Sequence, residues 1–126
     1  MIPKVGLLIC NSGASNSGTL TGMASMEIVK KLGNGFVGIC SLPSLVNQVP
    51  KQTAVIKKIP RIIVVDGCKN ACARKIAENL GISYSAYLNL EHDLNISKHG
   101  PFTTLEYSSK ELKKTVNEII KLCEEK

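Results

Sequence analysis

Residues Arg61 to Asp66 read RIIVVD, a run whose four central side chains are all apolar and β-branched. Successive side chains of a strand point to opposite faces, so this run presents apolar groups on both sides at once. Such a strand belongs in a sheet that is covered on both faces, as a parallel sheet is by its crossover helices. Two further short apolar runs, Lys4 to Cys10 (KVGLLIC) and Phe36 to Cys40 (FVGIC), have the same character.

The segments between them read as helices and loops. Residues 11–18 (NSGASNSG) form a small polar loop, and Thr19 to Leu32 a helix with Leu20, Met23, Ala24, Ile28 and Leu32 on one side. Gly33-Asn34-Gly35 stops it, since a residue of positive φ commonly ends a helix. Residues 41–50 are loop-like, with Pro43 and Pro50, and Lys51 to Ile59 reads as a short helix ended by Pro60. Asn70 to Leu80 is a helix closed by Gly81, Tyr84 to Leu90 a fourth strand, and residues 91–107 irregular and polar. Ser108 to Glu125 is the last helix, opened by a Ser108–Glu111 capping box and carrying a stripe of Leu112, Val116, Ile119, Ile120 and Cys123. Strands alternating with helices, joined by right-handed crossovers, leave few topologies. The expectation is one α/β domain over residues 1–126. It is a three-layer fold of the Rossmann or flavodoxin type, with a four-stranded parallel sheet in the order 2-1-3-4 and helices on both faces.

That topology gives the cysteines a meaning. Cys10 ends the first strand, Cys40 ends the second, and Cys68 lies two residues past the third. In a parallel sheet all three ends fall on one edge, with neighbouring strands about 4.8 Å apart. Cys72 follows in the first turn of the next helix and, if Cys68 is also helical, shares its face at i, i+4. A helix N-terminus favours the thiolate. The chain lacks a C-x-x-C pair, so the case for a metal site rests on four cysteines reaching one edge. Against it stands the reading of Cys10 and Cys40 as small buried residues at strand ends. Cys123 reads as a core residue.

The remaining composition narrows the function. The net charge is +6, but lysines are scattered and only five aromatics are present, so nucleic-acid binding by base stacking has little to work with. No apolar run approaches membrane-span length, and the segment before Cys10 is too short for a signal peptide; a cytoplasmic protein is expected. Five cysteines in a reducing compartment point to metal binding or thiol chemistry rather than a disulfide framework.

The segment VVDGCKNACARKIAENLGIS (64–83) resembles the DGC family of zinc-binding proteins, named for the triplet found here as Asp66-Gly67-Cys68. The family's pattern D-G-C-x-x-x-C-A is matched by Asp66, Gly67, Cys68, Cys72 and Ala73. Cys10 with its Ser/Gly-rich loop, and Cys40-Ser41-Leu42-Pro43, match two further blocks. The resemblance covers about residues 4 to 100 and implies a four-cysteine zinc site made by Cys10, Cys40, Cys68 and Cys72. It implies no settled activity.

Several neighbours have candidate roles. Gly67 permits a tight turn, Asp66 accepts loop or helix amides, and Lys69 offsets thiolate charge. The Ser12–Gly18 loop is either an anion cradle or a small-residue turn that lets the cysteines approach. His92 and Asp93 reach the same edge as an extra ligand or a proton-transfer pair, or form a solvated loop, as His99 does. Three functions compete. The first is a metal-binding protein holding zinc, or an iron–sulfur cluster, for a structural, sensing or metal-handling role. The second is a thiol oxidoreductase using Cys68 or Cys72, disfavoured by the C-x-x-x-C spacing. A cysteine phosphatase is disfavoured too, because no arginine closes the loop after Cys10. The third is an accessory protein with a protein partner.

Overall fold

The computed structural model describes residues 1–125. It contains a four-stranded, all-parallel sheet in the order β2-β1-β3-β4, as the doubly apolar strands require. The strands are β1 (Val5–Ile9), β2 (Val37–Ile39), β3 (Arg61–Asp66) and β4 (Ala86–Asn89). Helix α1 (Asn16–Leu32) joins β1 to β2. Helices α2 (Leu42–Val46) and α3 (Pro50–Ile56) join β2 to β3, and α4 (Cys72–Asn79) joins β3 to β4. Helix α5 (Leu90–Leu94) follows β4 directly, and α6 (Ser109–Glu124) closes the chain.

The alternation of strand side chains divides the core in two. Val5, Leu7, Ile9, Ile63 and Val65 face a layer built from Leu20, Ala24 and Ile28 of α1 and Val116, Ile119 and Cys123 of α6. Leu8, Ile62 and Val64 face the other layer, with Leu45, Ile56, Ala73 and Ala77 from α2, α3 and α4. The reversal of strand order at β1 sends its two neighbours to opposite sides, and right-handed crossovers then put α1 on one face and α2–α4 on the other.

Differences from the expected boundaries have local causes. Helix α1 begins three residues early because Ser15 caps it, its hydroxyl accepting from the Gly18 amide at 3.2 Å. Residues 41–50 are not simply a loop: Ser41 caps α2 through the Ser44 amide, and Pro50 opens α3, which ends at Ile56. Helix α4 begins only at Cys72, after Ala71 in a left-handed conformation (φ 52). Cys68 therefore lies outside the helix, and the expected i, i+4 helical pairing with Cys72 does not form. The capping box at α6 is present, with Glu111 N–H donating to Ser108 Oγ at 3.1 Å and Ser108 N–H to Glu111 Oε1 at 2.9 Å.

Cys123 sits in the core at 2% exposure. Burial pushes its thiol up to about 11, with the Arg61 charge opposing and Glu124 adding to the shift. The folded chain thus holds this proton more tightly than the unfolded chain, whose thiol has the ordinary value of 9.0. The resulting stability is complete below that ordinary value and is lost as pH rises through about 11. Urea unfolding between pH 8 and pH 11 should show falling stability, with a shallower fall in Cys123→Ala. Equal slopes for the two proteins would contradict this assignment.

Candidate metal centre

The site is built around the ends of β1 and β3, the point where the strand order reverses and a crevice is expected. Cys10 continues β1 by one step, its N–H donating to Val65 O at 3.0 Å. Asn11 then turns the chain with φ 48, and its amide donates to Thr21 Oγ1 at 2.8 Å. At the end of β3, Gly67 meets the first turn of α1. A β-carbon there would stand 2.6 Å from the carbonyl carbon and oxygen of Ser17. Glycine is needed at 67 for this close approach, which also brings Cys68 beside the Cys10 loop.

Asp66 fixes the other side. Its carboxylate is 1% exposed and accepts the amides of Ala73 at 2.8 Å and Arg74 at 3.0 Å, and the Tyr87 hydroxyl at 3.0 Å. Ala71, the residue preceding α4, offers no side-chain cap, so Asp66 caps the helix from seven residues upstream. This joins β3, the start of α4 and β4. Cys72 is the first residue of the helix so held.

Cys10, Cys68 and Cys72 line one cleft of about 120 Å³, with Ser17, Gly67 and Lys98 among its walls. Cys72 is exposed, and Cys10 and Cys68 are half-buried. Burial raises the Cys10 thiol above its ordinary value, as do the charges of Asp66 and Cys72, while the Ser12 and Gly67 amides favour the thiolate. Lys98 Nζ lies 3.8 Å from Cys68 Sγ. Lys69, expected to offset thiolate charge, lies instead in a separate recess with Arg74 and Tyr87.

Cys40 does not line this cleft. The β1–β2 register pairs Leu7 with Ile39, which sets Cys40 level with Leu8 and two residues short of Cys10. At about 3.3 Å per residue, this is a step of about 6.6 Å along the strand. The Cys40 sulfur turns back over β1, 2.9 Å from where a β-carbon on Gly6 would lie. Burial pushes this thiol up to about 11. Among the described residues, no group of three or more His, Cys, Asp or Glu side chains is close enough to hold a metal ion.

The Ser12–Gly18 loop walls the same cleft, and two of its amides serve the fold: Asn16 N–H donates to Thr103 Oγ1 at 3.0 Å and Gly18 N–H to Ser15 Oγ. The histidines fall elsewhere. His92 Nδ1 pairs with Asp93 Oδ1 at 2.8 Å in the recess beside Lys69. His99 stands 3.8 Å from Glu106 and is exposed. Two contributors escaped the sequence reading. Asn89 is buried at the end of β4, where it donates to the Cys68 carbonyl at 2.9 Å; Lys98 is the other. A polar residue ending a strand at the functional edge was the signal for Asn89. Nothing local marks Lys98.

The fold and cleft define an open parallel α/β protein with thiols at its topological switch point. The chain belongs to the DGC family, whose DGC domain matches residues 7–119. No curated protein and no solved structure matches the chain.

In Asp66→Asn, the amide NH₂ would face either the Ala73 N–H or the Arg74 N–H, setting donor against donor. Urea unfolding should show a loss of about 2 kcal/mol. A change within about 0.5 kcal/mol, the size of an ordinary surface substitution, would contradict the capping role.

Proposed function

We propose that this protein binds one soft metal ion, zinc, through Cys10, Cys40, Cys68 and Cys72, in a structural, sensing or metal-handling role. The observation that carries the reading is the convergence of Cys10, Cys68 and Cys72 on one cleft from two chain segments, the β1–α1 loop and the β3–α4 connection. The donor chemistry suits the ion. The cleft walls carry thiols, mostly small side chains and the Lys98 amine, with no carboxylate or imidazole, and thiolates select zinc, copper(I) or iron–sulfur clusters. Cys40 becomes the fourth donor once its side chain leaves Gly6 and spans the two-residue offset from Cys10 on the neighbouring strand. Zinc bound to four thiolates supplies rigidity and no open coordination position. Lys98 and the α4 N-terminus then oppose the excess negative charge.

An odd count of five cysteines suits a reducing compartment, the cytoplasm, better than a disulfide framework. Among the described residues no helix is long and apolar enough to cross a membrane.

Elemental analysis of untagged protein, purified without chelator, tests the reading alongside a free-thiol count. About one zinc per chain is expected, with none in a variant carrying serine at all four positions and weaker retention in Cys40→Ser. A brown protein would replace zinc with an iron–sulfur cluster. Protein without metal, carrying a Cys68–Cys72 disulfide, would replace the metal reading with thiol redox chemistry.

A further inference from the structure

Asn34 is the one asparagine of the chain that is followed by glycine. Asn34 and Gly35 lie between α1 and β2, and both are exposed. They are the central pair of a turn closed by Gly33 O, which accepts the amides of Phe36 and Val37, each at 3.1 Å. Among the described residues the Gly35 amide donates to no backbone carbonyl, and the Asn34 carboxamide has no hydrogen-bond partner. A nucleophilic nitrogen and the carbonyl carbon it can reach are therefore adjacent and unrestrained. Gly35 has no β-carbon to hinder ring closure between them. Other asparagines that precede a small residue are held by the fold. The Ser12 amide after Asn11 faces the Cys10 sulfur, and the Asn11 side chain packs on Gly22. Asn16 Nδ2 donates to Ser97 O and Asn16 Oδ1 accepts the His99 amide, both at 2.9 Å. The Ala71 amide after Asn70 donates to Cys68 O at 3.1 Å.

We infer that Asn34–Gly35 is a site of spontaneous covalent modification, deamidation through a cyclic imide. The Gly35 nitrogen attacks Asn34 Cγ and forms a C–N bond. The carboxamide C–N bond breaks, and ammonia leaves with the Gly35 proton. Water then opens the ring. Opening at Cγ gives aspartate, and opening at the Asn34 main-chain carbonyl gives isoaspartate; nothing is oxidised or reduced. Both products replace a neutral side chain by a carboxylate. Isoaspartate also adds one methylene to the main chain at the entry to β2, where Phe36 O accepts the Val5 amide at 2.9 Å and starts the β1–β2 ladder. The isoaspartyl form therefore loosens β2, the strand that Cys40 follows, without altering a thiol. The site stands whether or not the thiol cleft binds metal.

Incubation of the folded protein in mildly alkaline buffer, followed by peptide mapping with mass spectrometry, tests the site. Aspartate and isoaspartate are expected at position 34, with Asn11, Asn16 and Asn70 unchanged over the same period. In urea, where the fold no longer restrains them, Asn11 and Asn16 should convert as well. Gly35→Ala should slow conversion severalfold. Its added β-carbon would meet Met1 Sδ at 3.6 Å, an ordinary contact, so this variant keeps the fold. Separated by ion exchange, the isoaspartyl fraction should unfold at a lower urea concentration than the aspartyl fraction, which carries the same charge on an unaltered backbone. An Asn34 that stays intact in the folded protein while it converts in urea, an unchanged rate in Gly35→Ala, or equal urea midpoints for the two products would overturn the inference.

Discussion

The buried Asp66 carboxylate holds the functional edge together. It ends β3, caps α4 through two amides, and takes the hydroxyl of Tyr87 from β4. A buried carboxylate is costly without partners and strongly directional with them, so three donors on two different elements define one arrangement of the β3–α4 connection. Gly67 and Cys68, immediately after it, inherit that position. The left-handed Ala71 follows from the same constraint, since the chain must double back for Ala73 and Arg74 to point their amides at Asp66. The strain of a non-glycine residue there is set against hydrogen bonds that would otherwise be unsatisfied helix ends.

Much of this was legible in the residues. The RIIVVD run argued for a doubly covered parallel sheet, and crossover handedness left few topologies, among which the expected order 2-1-3-4 is the one observed. Cys72 in the first turn of α4 and Cys123 on the buried stripe of α6 were likewise readable from periodicity and spacing. The D-G-C triplet marked the turn. The role of its glycine is different from the turn flexibility expected of it: Gly67 is small because α1 leans on it, a tertiary contact invisible to local pattern.

What stayed hidden depends on register and long-range contact. β2 has three residues, so its end falls short of β1, and Cys40 lies a step behind Cys10 although both end their strands. Reading strand ends as level ignores that offset. Lys98 reaches Cys68 from thirty residues away, out of a segment without periodicity. The polar residues at the start of α1, Ser15, Asn16 and Ser17, are buried, not solvated. Asn16 bridges to the distant loop by donating to Ser97 O at 2.9 Å and accepting from the His99 amide at 2.9 Å. Small polar residues suggest an exposed turn only when such partners are unknown.

The position of Cys40 separates a closed four-thiolate centre from a three-thiol cleft, so the decisive measurement counts sulfur around the metal. X-ray absorption at the zinc edge should find a shell of four sulfurs at about 2.3 Å, falling to three in Cys40→Ser. A shell already containing oxygen or nitrogen in the unaltered protein, and indifferent to Cys40→Ser, would contradict the four-cysteine account.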